Sequence, residues 1–274
     1  MTARLQASQL TLAYDRRVVA ENLDVTVTDG SFTVIVGPNA CGKSTLLRSL
    51  ARVLKPQSGA VYLDGQAIAS YPSKQVAKQL GMLPQSPVVP SGVVVEELVA
   101  RGRFAHQRVL RQWSAEDEAA VRDAMRQTEV TDLADRFVDE LSGGQRQRVW
   151  LAMALAQQTP ILLLDEPTTF LDLSHQFEVL DLCADLHEQG RTIVAVLHDL
   201  NHACRYATEL IVMRGGQVLA QGAPAEVMTA DLVESVFGMP CRVIADPETD
   251  TPLVVPAGRA RRRAHALPST TDAL

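Results

Sequence analysis

Cysteine pairs and an excess of positive charge are both missing from this chain of 274 residues. Its four cysteines (Cys41, Cys183, Cys204 and Cys241) lie far apart and form no C-x-x-C pair, which argues against a disulfide framework and against a zinc site. The formal net charge is −6, whereas general nucleic-acid binders usually carry a basic excess. We therefore expect a protein of a reducing compartment that binds no nucleic acid.

A long apolar run is also missing. No stretch approaches the ~20 apolar residues needed to cross a bilayer, and the first ten residues lack the apolar core of a secretory signal peptide. We expect that any role at a membrane is carried out from outside the lipid. Hydrophobic residues make up 46% of the chain and charged residues 21%, a composition typical of a folded globular protein.

Lysine is scarce, because only four of the 26 basic residues are lysines. One of them, Lys43, lies in the segment GPNACGKST (37–45), which matches the pattern G-x-x-x-x-G-K-[ST] between an apolar strand and a helix. Backbone N–H groups of such a loop surround phosphates, and the lysine is a compact cation for the β- and γ-phosphates. The Ser44 hydroxyl suits Mg²⁺. A glycine-rich turn with a surface lysine is the simpler alternative.

Two other predicted strands end in residues that suit phosphate chemistry. The strand in ILLLDEP (161–167) is followed by Asp165, which suits Mg²⁺, and by Glu166, which suits a general base. The strand TIVAVL (192–197) is followed by His198. Taken singly, the two acids also fit a solvated turn, and the histidine fits a structural role. Because ligands of doubly wound sheets bind at the carboxyl ends of the strands, we expect these side chains and Lys43 at one site.

The order of apolar runs predicts strands that alternate with helices, and therefore a largely parallel sheet. The predicted strands are 5–14, 22–30, 31–37, 161–164 and 192–197, and the predicted helices are 44–54, 145–158 and 174–189. Asp64-Gly65 and Gly215-Gly216 predict tight turns. Pro and Val dominate residues 84–95, and segments with a helical period follow them. Residues 86–141 therefore predict a helical subdomain inserted in an α/β domain of residues 1–256. The Arg-rich segment 257–274 predicts a disordered tail.

The segment LSGGQRQR (141–148) resembles the signature of ATP-binding cassette ATPases. The order of the other motifs is similar too. By this resemblance, Tyr14 stacks on adenine, Gln85 is the Q-loop glutamine, Asp172 is the D-loop aspartate and His198 is the switch histidine. The resemblance implies a cassette of the P-loop NTPase class, with a mostly parallel core sheet, an N-terminal antiparallel β subdomain and an inserted α-helical subdomain.

The resemblance also implies which residues bind ATP and Mg²⁺. The nucleotide ligands would be Tyr14, Gly37, Pro38, Asn39, Ala40, Cys41, Gly42, Lys43, Ser44, Thr45, Ser142, Gly143, Gly144, Gln145 and Asp172. Ser44, Gln85 and Asp165 would hold the metal, and Lys43, Gln85, Glu166 and His198 would take part in hydrolysis. Ala40 departs from the pattern, since close relatives often carry a glycine there. We expect its small side chain to fit unless the position needs a positive φ.

The residues of the signature also predict an anion-binding site, independently of the resemblance. Ser142, Gly143 and Gly144 precede a helix and so predict a second anion-binding helix N-terminus, although Ser142 also fits an ordinary N-cap. If both phosphate sites serve one nucleotide, a second copy of the chain is the simplest source of the other. In the family that the chain resembles, two copies face head to tail, and each ATP lies between one phosphate loop and the opposite signature.

Finer features resemble one kind of transporter. The segments 93–107, 197–207 and 251–259 look like those of ATPases for ferric-siderophore import, especially of the ferric enterobactin type. This implies a bacterial importer subunit at the cytoplasmic face of the inner membrane. Its partners would be a separate permease, which would contact residues 86–107, and, indirectly, a periplasmic or lipid-anchored substrate-binding protein. Related importers of cobalamin or haem remain alternatives.

ATPases of a different class are the other alternative. Soluble cassette ATPases of DNA repair insert a long coiled coil between the phosphate loop and the signature, but the segment between Lys43 and Leu141 shows no sustained heptads. A translation-factor ATPase would usually carry two cassettes in one chain. An ATPase of iron–sulfur cluster assembly would lack the importer-like segments 93–107 and 251–259.

Overall fold

The computed structural model describes residues 3–15, 17–85, 91–107 and 113–257. The predicted tail (257–274) lies outside the described residues, apart from Ala257. The strands are β1 (Ala3–Tyr14), β2 (Arg17–Thr28), β3 (Phe32–Val36), β4 (Ser58–Leu63), β5 (Gln66–Ala67), β6 (Leu80–Leu83), β7 (Ile161–Asp165), β8 (Thr192–Val196), β9 (Glu209–Arg214), β10 (Gln217–Gly222), β11 (Cys241–Ala245) and β12 (Pro252–Pro256). The α-helices are α1 (Lys43–Leu50), α2 (Ser73–Gln79), α3 (Val95–Ala100), α4 (Ala115–Gln127), α5 (Gly143–Ala156), α6 (Leu173–Glu188), α7 (Leu200–Tyr206), α8 (Pro224–Val227) and α9 (Ala230–Phe237).

The central sheet has six strands in the order β10-β9-β3-β8-β7-β6. The strands from β9 to β6 are parallel, and β10 pairs antiparallel with β9 at one edge. All residues of β3, β7 and β8 are buried, because helices or the second sheet cover both faces. The parallel arrangement brings the carboxyl ends of β3, β7 and β8 to one edge.

A second sheet of four antiparallel strands, in the order β2-β1-β4-β5, lies over α1 and one face of the central sheet. Strand β2 begins at Arg17, earlier than the predicted 22–30. The predicted turn at Asp64-Gly65 is confirmed: φ is +50° at Asp64 and +78° at Gly65, as a two-residue hairpin turn requires. Helix α1 ends at Leu50, before the predicted 54, because Arg52 adopts a φ of +59°.

The opposite face of the central sheet is covered by helices. Helices α3 and α4 follow β6 in the chain and pack against α5, whose first turn carries the signature. The hairpin β11–β12 forms a sheet of its own near the C-terminal end, where no strand is predicted from the sequence. In the described part of the chain, no helix is both long and apolar enough to cross a membrane.

Candidate active site

The phosphate loop joins β3 to α1 at the sheet edge where the parallel strands end. Gly37 opens the loop with a φ of +155°, and a Cβ placed on it would lie 2.1 Å from the backbone carbonyl oxygen of Met213 in β9. Glycine is therefore needed at this position. The Lys43 side chain is buried, and its Nζ donates hydrogen bonds to the carbonyl oxygens of Gly37 (2.8 Å) and Pro38 (3.0 Å). The ammonium group thus lies inside the turn of the loop.

Ala40 adopts the left-handed conformation, with a φ of +60°. The small side chain of alanine is expected to fit here unless the position needs a positive φ. The position does need one, so alanine is strained here. An L-residue in this region has its Cβ close to the next carbonyl oxygen, which costs about 1–2 kcal/mol. Glycine avoids this contact, which explains its use at this position in the family that the chain resembles.

Ser44 and Asp165 meet next to the loop. The Ser44 hydroxyl donates to Asp165 Oδ1 over 2.7 Å. Asp165 is fully buried, and its Oδ2 has no hydrogen-bond partner among the described residues. Burial raises the pKa of this carboxyl group, and the Ser44 hydrogen bond and the Arg48 charge oppose that shift. Asp165 Oδ2 lies 3.8 Å from Arg48 Nη2, too far for a hydrogen bond. A buried carboxylate oxygen without a hydrogen bond, beside a hydroxyl, is a donor set that suits Mg²⁺, so the residues fit the metal.

Glu166 is the centre of a hydrogen-bonded network. Its Oε1 lies 2.6 Å from His198 Nε2, and its Oε2 accepts from Gln85 Nε2 over 2.7 Å and from Thr169 Oγ1 over 3.2 Å. The carboxylate is therefore held by the chain segments that follow β6, β7 and β8. Gln85, predicted as a metal ligand, is paired with Glu166 rather than with Asp165.

Thr169 was missed by the sequence reasoning. It lies three residues after Glu166, where a hydroxyl can return to the carboxylate of a preceding turn. Serine and threonine hydroxyls often form such local hydrogen bonds. A threonine three residues after the glutamate in DEPTT is therefore the sequence signal for this contact.

A cavity of about 800 Å³ lies beside these groups, within the size range of ligand sites. Gly37, Pro38, Asp165 and Thr169 are not among the residues that line it. The loop residues Asn39 to Thr45 form one wall, and Gln85, Glu166 and His198 lie along another. Tyr14, Arg17, Val18, Val19, Gly215 and Gly216 complete the lining. Tyr14 is 42% exposed, so its ring is available to a flat ligand, and its hydroxyl accepts from Arg48 Nη1 over 3.3 Å.

The two glycines after β9 were predicted only as a turn. A Cβ on Gly216 would lie 2.2 Å from the carbonyl oxygen of Val19, and the Gly216 N–H donates to the Cys41 carbonyl over 3.0 Å. This glycine therefore lets β2, the phosphate loop and the β9–β10 turn approach one another.

The Cys41 thiol is buried beside these segments. Burial raises the pKa of this thiol, and the charge of Lys43 opposes the shift. Cys41 therefore packs as a small buried side chain of the phosphate loop.

The signature lies elsewhere on the chain. Ser142 is the N-cap of α5: its Oγ accepts from the Gln145 N–H (3.2 Å), and the Gln145 side chain accepts from the Ser142 N–H (3.1 Å). The N-cap interpretation of Ser142 is therefore confirmed. None of Ser142, Gly143, Gly144 and Gln145 lines the cavity formed by the described residues. One copy of the chain does not bring its signature to its own phosphate loop.

Asp172 is also outside the cavity lining. It caps α6 by accepting from the His175 N–H over 3.1 Å, and its Oδ1 lies 2.5 Å from His175 Nδ1. These hydrogen bonds from His175 lower the pKa of Asp172.

Gly143 and Gly144 face the neighbouring Phe170 and Leu171, and Phe170 is 75% exposed. The signature and the segment before α6 thus form a joint surface with an exposed aromatic ring.

Comparison with known proteins agrees with this geometry. The family described as "ABC transporter" matches residues 20–169. The chain is 57% identical over 258 residues to the ferric enterobactin transport ATP-binding protein FepC of Escherichia coli (strain K12), covering 94% of this chain and 95% of that protein. It is 54% identical over 258 residues to the probable siderophore transport system ATP-binding protein YusV of Bacillus subtilis (strain 168), covering 94% of each.

Solved structures show the same architecture. A metal-chelate type ABC transporter in an inward-facing conformation matches with a TM-score of 0.80 at 27% identity, covering 94% of this chain and 99% of that one. The dimeric cassette MJ0796 matches with a TM-score of 0.73 at 28% identity, covering 80% and 98%. A cavity built around a phosphate loop and a buried carboxylate network suits ATP hydrolysis, and with these similarities we conclude that the chain belongs to the ABC transporter family, as one of its ATP-hydrolysing, ATP-binding proteins.

Proposed function

We propose that this chain energises the import of iron(III)–siderophore complexes through a separate permease. The observation that carries the proposal is the high identity to several proteins named for siderophore transport. Besides the two relatives above, the achromobactin transport ATP-binding protein CbrD of Dickeya dadantii (strain 3937) is 51% identical over 97% of the chain. The hemin import ATP-binding protein HmuV of Streptomyces coelicolor is 42% identical over 88% of the chain. The identity to the siderophore proteins is higher than the identity to the hemin protein, which favours a siderophore as the substrate.

In the proposed reaction, Tyr14 stacks on adenine and Lys43 counters the negative charge of the β- and γ-phosphates. Ser44, Asp165 and Gln85 would hold Mg²⁺, which would neutralise charge that develops on the phosphate oxygens. Glu166 accepts a proton from the water that attacks the γ-phosphorus, and ADP leaves. Gln85, Thr169 and His198 orient the Glu166 carboxylate. The hydrogen bonds from Gln85 and Thr169 and the 2.6 Å contact of His198 support this role.

A second copy of the chain completes each site in this proposal. The signature is displaced from the cavity, and the N-terminus of α5 is a second place where backbone N–H groups suit an anion. Two copies arranged head to tail would place Ser142, Gly143, Gly144 and Gln145 of one over the phosphate loop of the other. Asp172 and the exposed Phe170 would lie near that interface. The dimeric MJ0796 structure supports this arrangement.

The remaining partners are a permease and, through it, a substrate-binding protein outside the cytoplasm. We propose that the chain binds the permease from the cytoplasmic face of the inner membrane. Two large exposed side chains support a docking surface in the helical region: Phe104 is 79% exposed and Trp113 is 45% exposed. Aromatic side chains of this kind are enriched at protein interfaces.

The proposal is tested by purification and transport. The tagged native protein should co-purify with a polytopic permease, and a deletion strain should lose growth on ferric enterobactin as the iron source while it keeps cobalamin-dependent growth and haem use. Expression of wild-type protein restores growth, whereas the matched Glu166→Gln variant does not. Recovery of the protein only in a soluble complex without a permease would contradict the importer function. Loss of haem use alone would shift the substrate to haem.

A further inference from the structure

Helix α7 begins two residues after His198 and is too short to be stable without contacts to the rest of the chain. It spans only seven residues, Leu200–Tyr206, which is too short for a stable isolated helix. Its N-cap is Asp199, whose Oδ1 accepts from the N–H groups of Asn201 (2.7 Å) and His202 (2.9 Å). The position of His198 therefore depends on β8 on one side and on whatever holds α7 on the other.

The Asn201 side chain joins α7 to the C-terminal hairpin. Its Oδ1 accepts from the Val254 N–H over 2.7 Å, and its Nδ2 donates to the Val254 carbonyl over 3.3 Å. The amide thus pairs with both backbone groups of one residue in β12, as a neighbouring strand would. Among the described residues, these two are the hydrogen bonds that join the segment 241–256 to the rest of the chain.

Packing supports the same contact. Val254 is 5% exposed and belongs to the core that also contains the fully buried Ala203 and Cys204 of α7. The hairpin β11–β12 is not hydrogen-bonded to either larger sheet, and two-stranded sheets are marginal by themselves. The short helix and the isolated hairpin therefore stabilise each other, with Asn201 as the polar link.

We propose that Asn201 is a positioning residue for ATP hydrolysis. By holding α7 against β12, it fixes Asp199 and the preceding His198, and so the 2.6 Å contact between His198 Nε2 and Glu166 Oε1. Helix α7 also contacts α6, since the Tyr206 hydroxyl donates to Asp181 Oδ1 over 2.5 Å and the His202 ring meets Phe177 edge to face. Without the Asn201 link, α7 loses its hydrogen bonds to β12 next to Asp199, and His198 no longer holds the carboxylate in one orientation. The inference rests on the proposed function of His198 and Glu166.

The test compares Asn201→Ala with a matched control in the same hairpin. Asp246→Ala removes a turn contact, since Asp246 Oδ1 accepts from the Glu248 N–H over 2.9 Å, but leaves Val254 paired with Asn201. Asn201→Ala should lower kcat for ATP about tenfold, because small displacements of orienting groups slow catalysis strongly. KM should change less than about twofold, since the groups that bind ATP are untouched. Asp246→Ala should keep the wild-type kcat.

A double-variant cycle separates positioning from general stability. In the His198→Ala background, Asn201→Ala should cause no further loss of kcat, because the residue acts through His198. An equal loss in both backgrounds, or a wild-type kcat for Asn201→Ala, would overturn the inference alone. If His198→Ala itself keeps wild-type turnover, the proposed role of His198 fails and this inference fails with it. Asn201→Leu, which keeps the number and branching of the side-chain heavy atoms, gives the same comparison if the alanine variant does not fold.

Discussion

Replacement of Arg103 by methionine is expected to lower the free energy of unfolding by about 3–5 kcal/mol, the range for breaking a buried ion pair by removing one partner. Arg103 follows α3 and is only 1% exposed. Its Nε donates to Asp117 Oδ1 over 2.9 Å, and its Nη1 lies 2.9 Å from both the Ala156 carbonyl oxygen and Gln158 Oε1. One side chain therefore links the segment after α3 to the start of α4 and the end of α5.

The magnitude follows from what remains after the substitution. Asp117 is buried in the capping box of α4, where it accepts from the Ser114 hydroxyl over 2.7 Å. Burial raises the pKa of Asp117, but the hydrogen bonds from Ser114 and Arg103 outweigh it, so the net pKa is lowered. Without Arg103 the carboxylate stays buried with no cation, and two further acceptors at the end of α5 lose their donor. The loss is a large part of a total stability of about 5–15 kcal/mol.

Urea unfolding followed by tryptophan fluorescence measures this loss directly, because the two tryptophans, Trp113 and Trp150, both lie in the helical region. The matched control is Arg122→Met on α4, which breaks an exposed pair with Glu118 at 3.4 Å. That change should cost about 0.3–0.5 kcal/mol. If Arg103→Met costs no more than Arg122→Met, the reasoning about the buried pair is refuted.

The sign of the pH effect can be checked with the same assay. Since the folded pKa of Asp117 is lowered, its contribution to stability is present above the unfolded value of about 3.9 and is lost as pH falls through the folded value. The stability difference between wild type and Arg103→Met should therefore shrink below about pH 4. A difference that stays constant to pH 2 would contradict the assignment of the effect to the Asp117 charge.

Other expected outcomes concern strain, cysteine reactivity and the base. Ala40→Gly should stabilise the chain to urea by about 0.5 kcal/mol, since relief of left-handed strain exceeds the extra freedom of unfolded glycine; a lower midpoint would contradict this. A maleimide at pH 8, followed by mass spectrometry, should label half-buried Cys241 first, because burial raises the pKa of Cys183 and Cys204 to about 12. Fast native labelling of Cys183 would be inconsistent with its burial. Glu166→Gln should bind ATP normally but release phosphate about 10²–10⁴-fold more slowly; turnover within tenfold of wild type would remove Glu166 as the base.

Local sequence patterns predicted much of the site. The phosphate loop, the acids after β7 and His198 after β8 each follow an apolar strand, and parallel strands must deliver such residues to one edge. The pattern could not specify that Glu166 accepts from both Gln85 and Thr169, because those contacts depend on loop geometry after the strands. Nor could it show that Ala40 adopts a φ of +60°.

Long-range contacts explain what the sequence did not reveal. Arg103 reads as a surface charge in a helical segment, and only the meeting of three elements shows it buried against Asp117. The hairpin β11–β12 carries a weak alternating pattern, and its stability comes from packing on α7. Pairing between Asn201 and Val254 spans 53 residues of chain, so no local signal predicts it.

The most direct test of the central claim, a hydrolytic site completed by a second copy, is a mixing experiment with two inactive variants. Lys43→Ala disables the phosphate loop and Ser142→Arg disables the signature, so each alone should show little ATP hydrolysis. In a 1:1 mixture about half of the dimers are mixed, and each has one site with an intact loop and an intact signature. We expect the mixture to recover up to about a quarter of wild-type activity by this count. A mixture no more active than the separate variants would contradict the account.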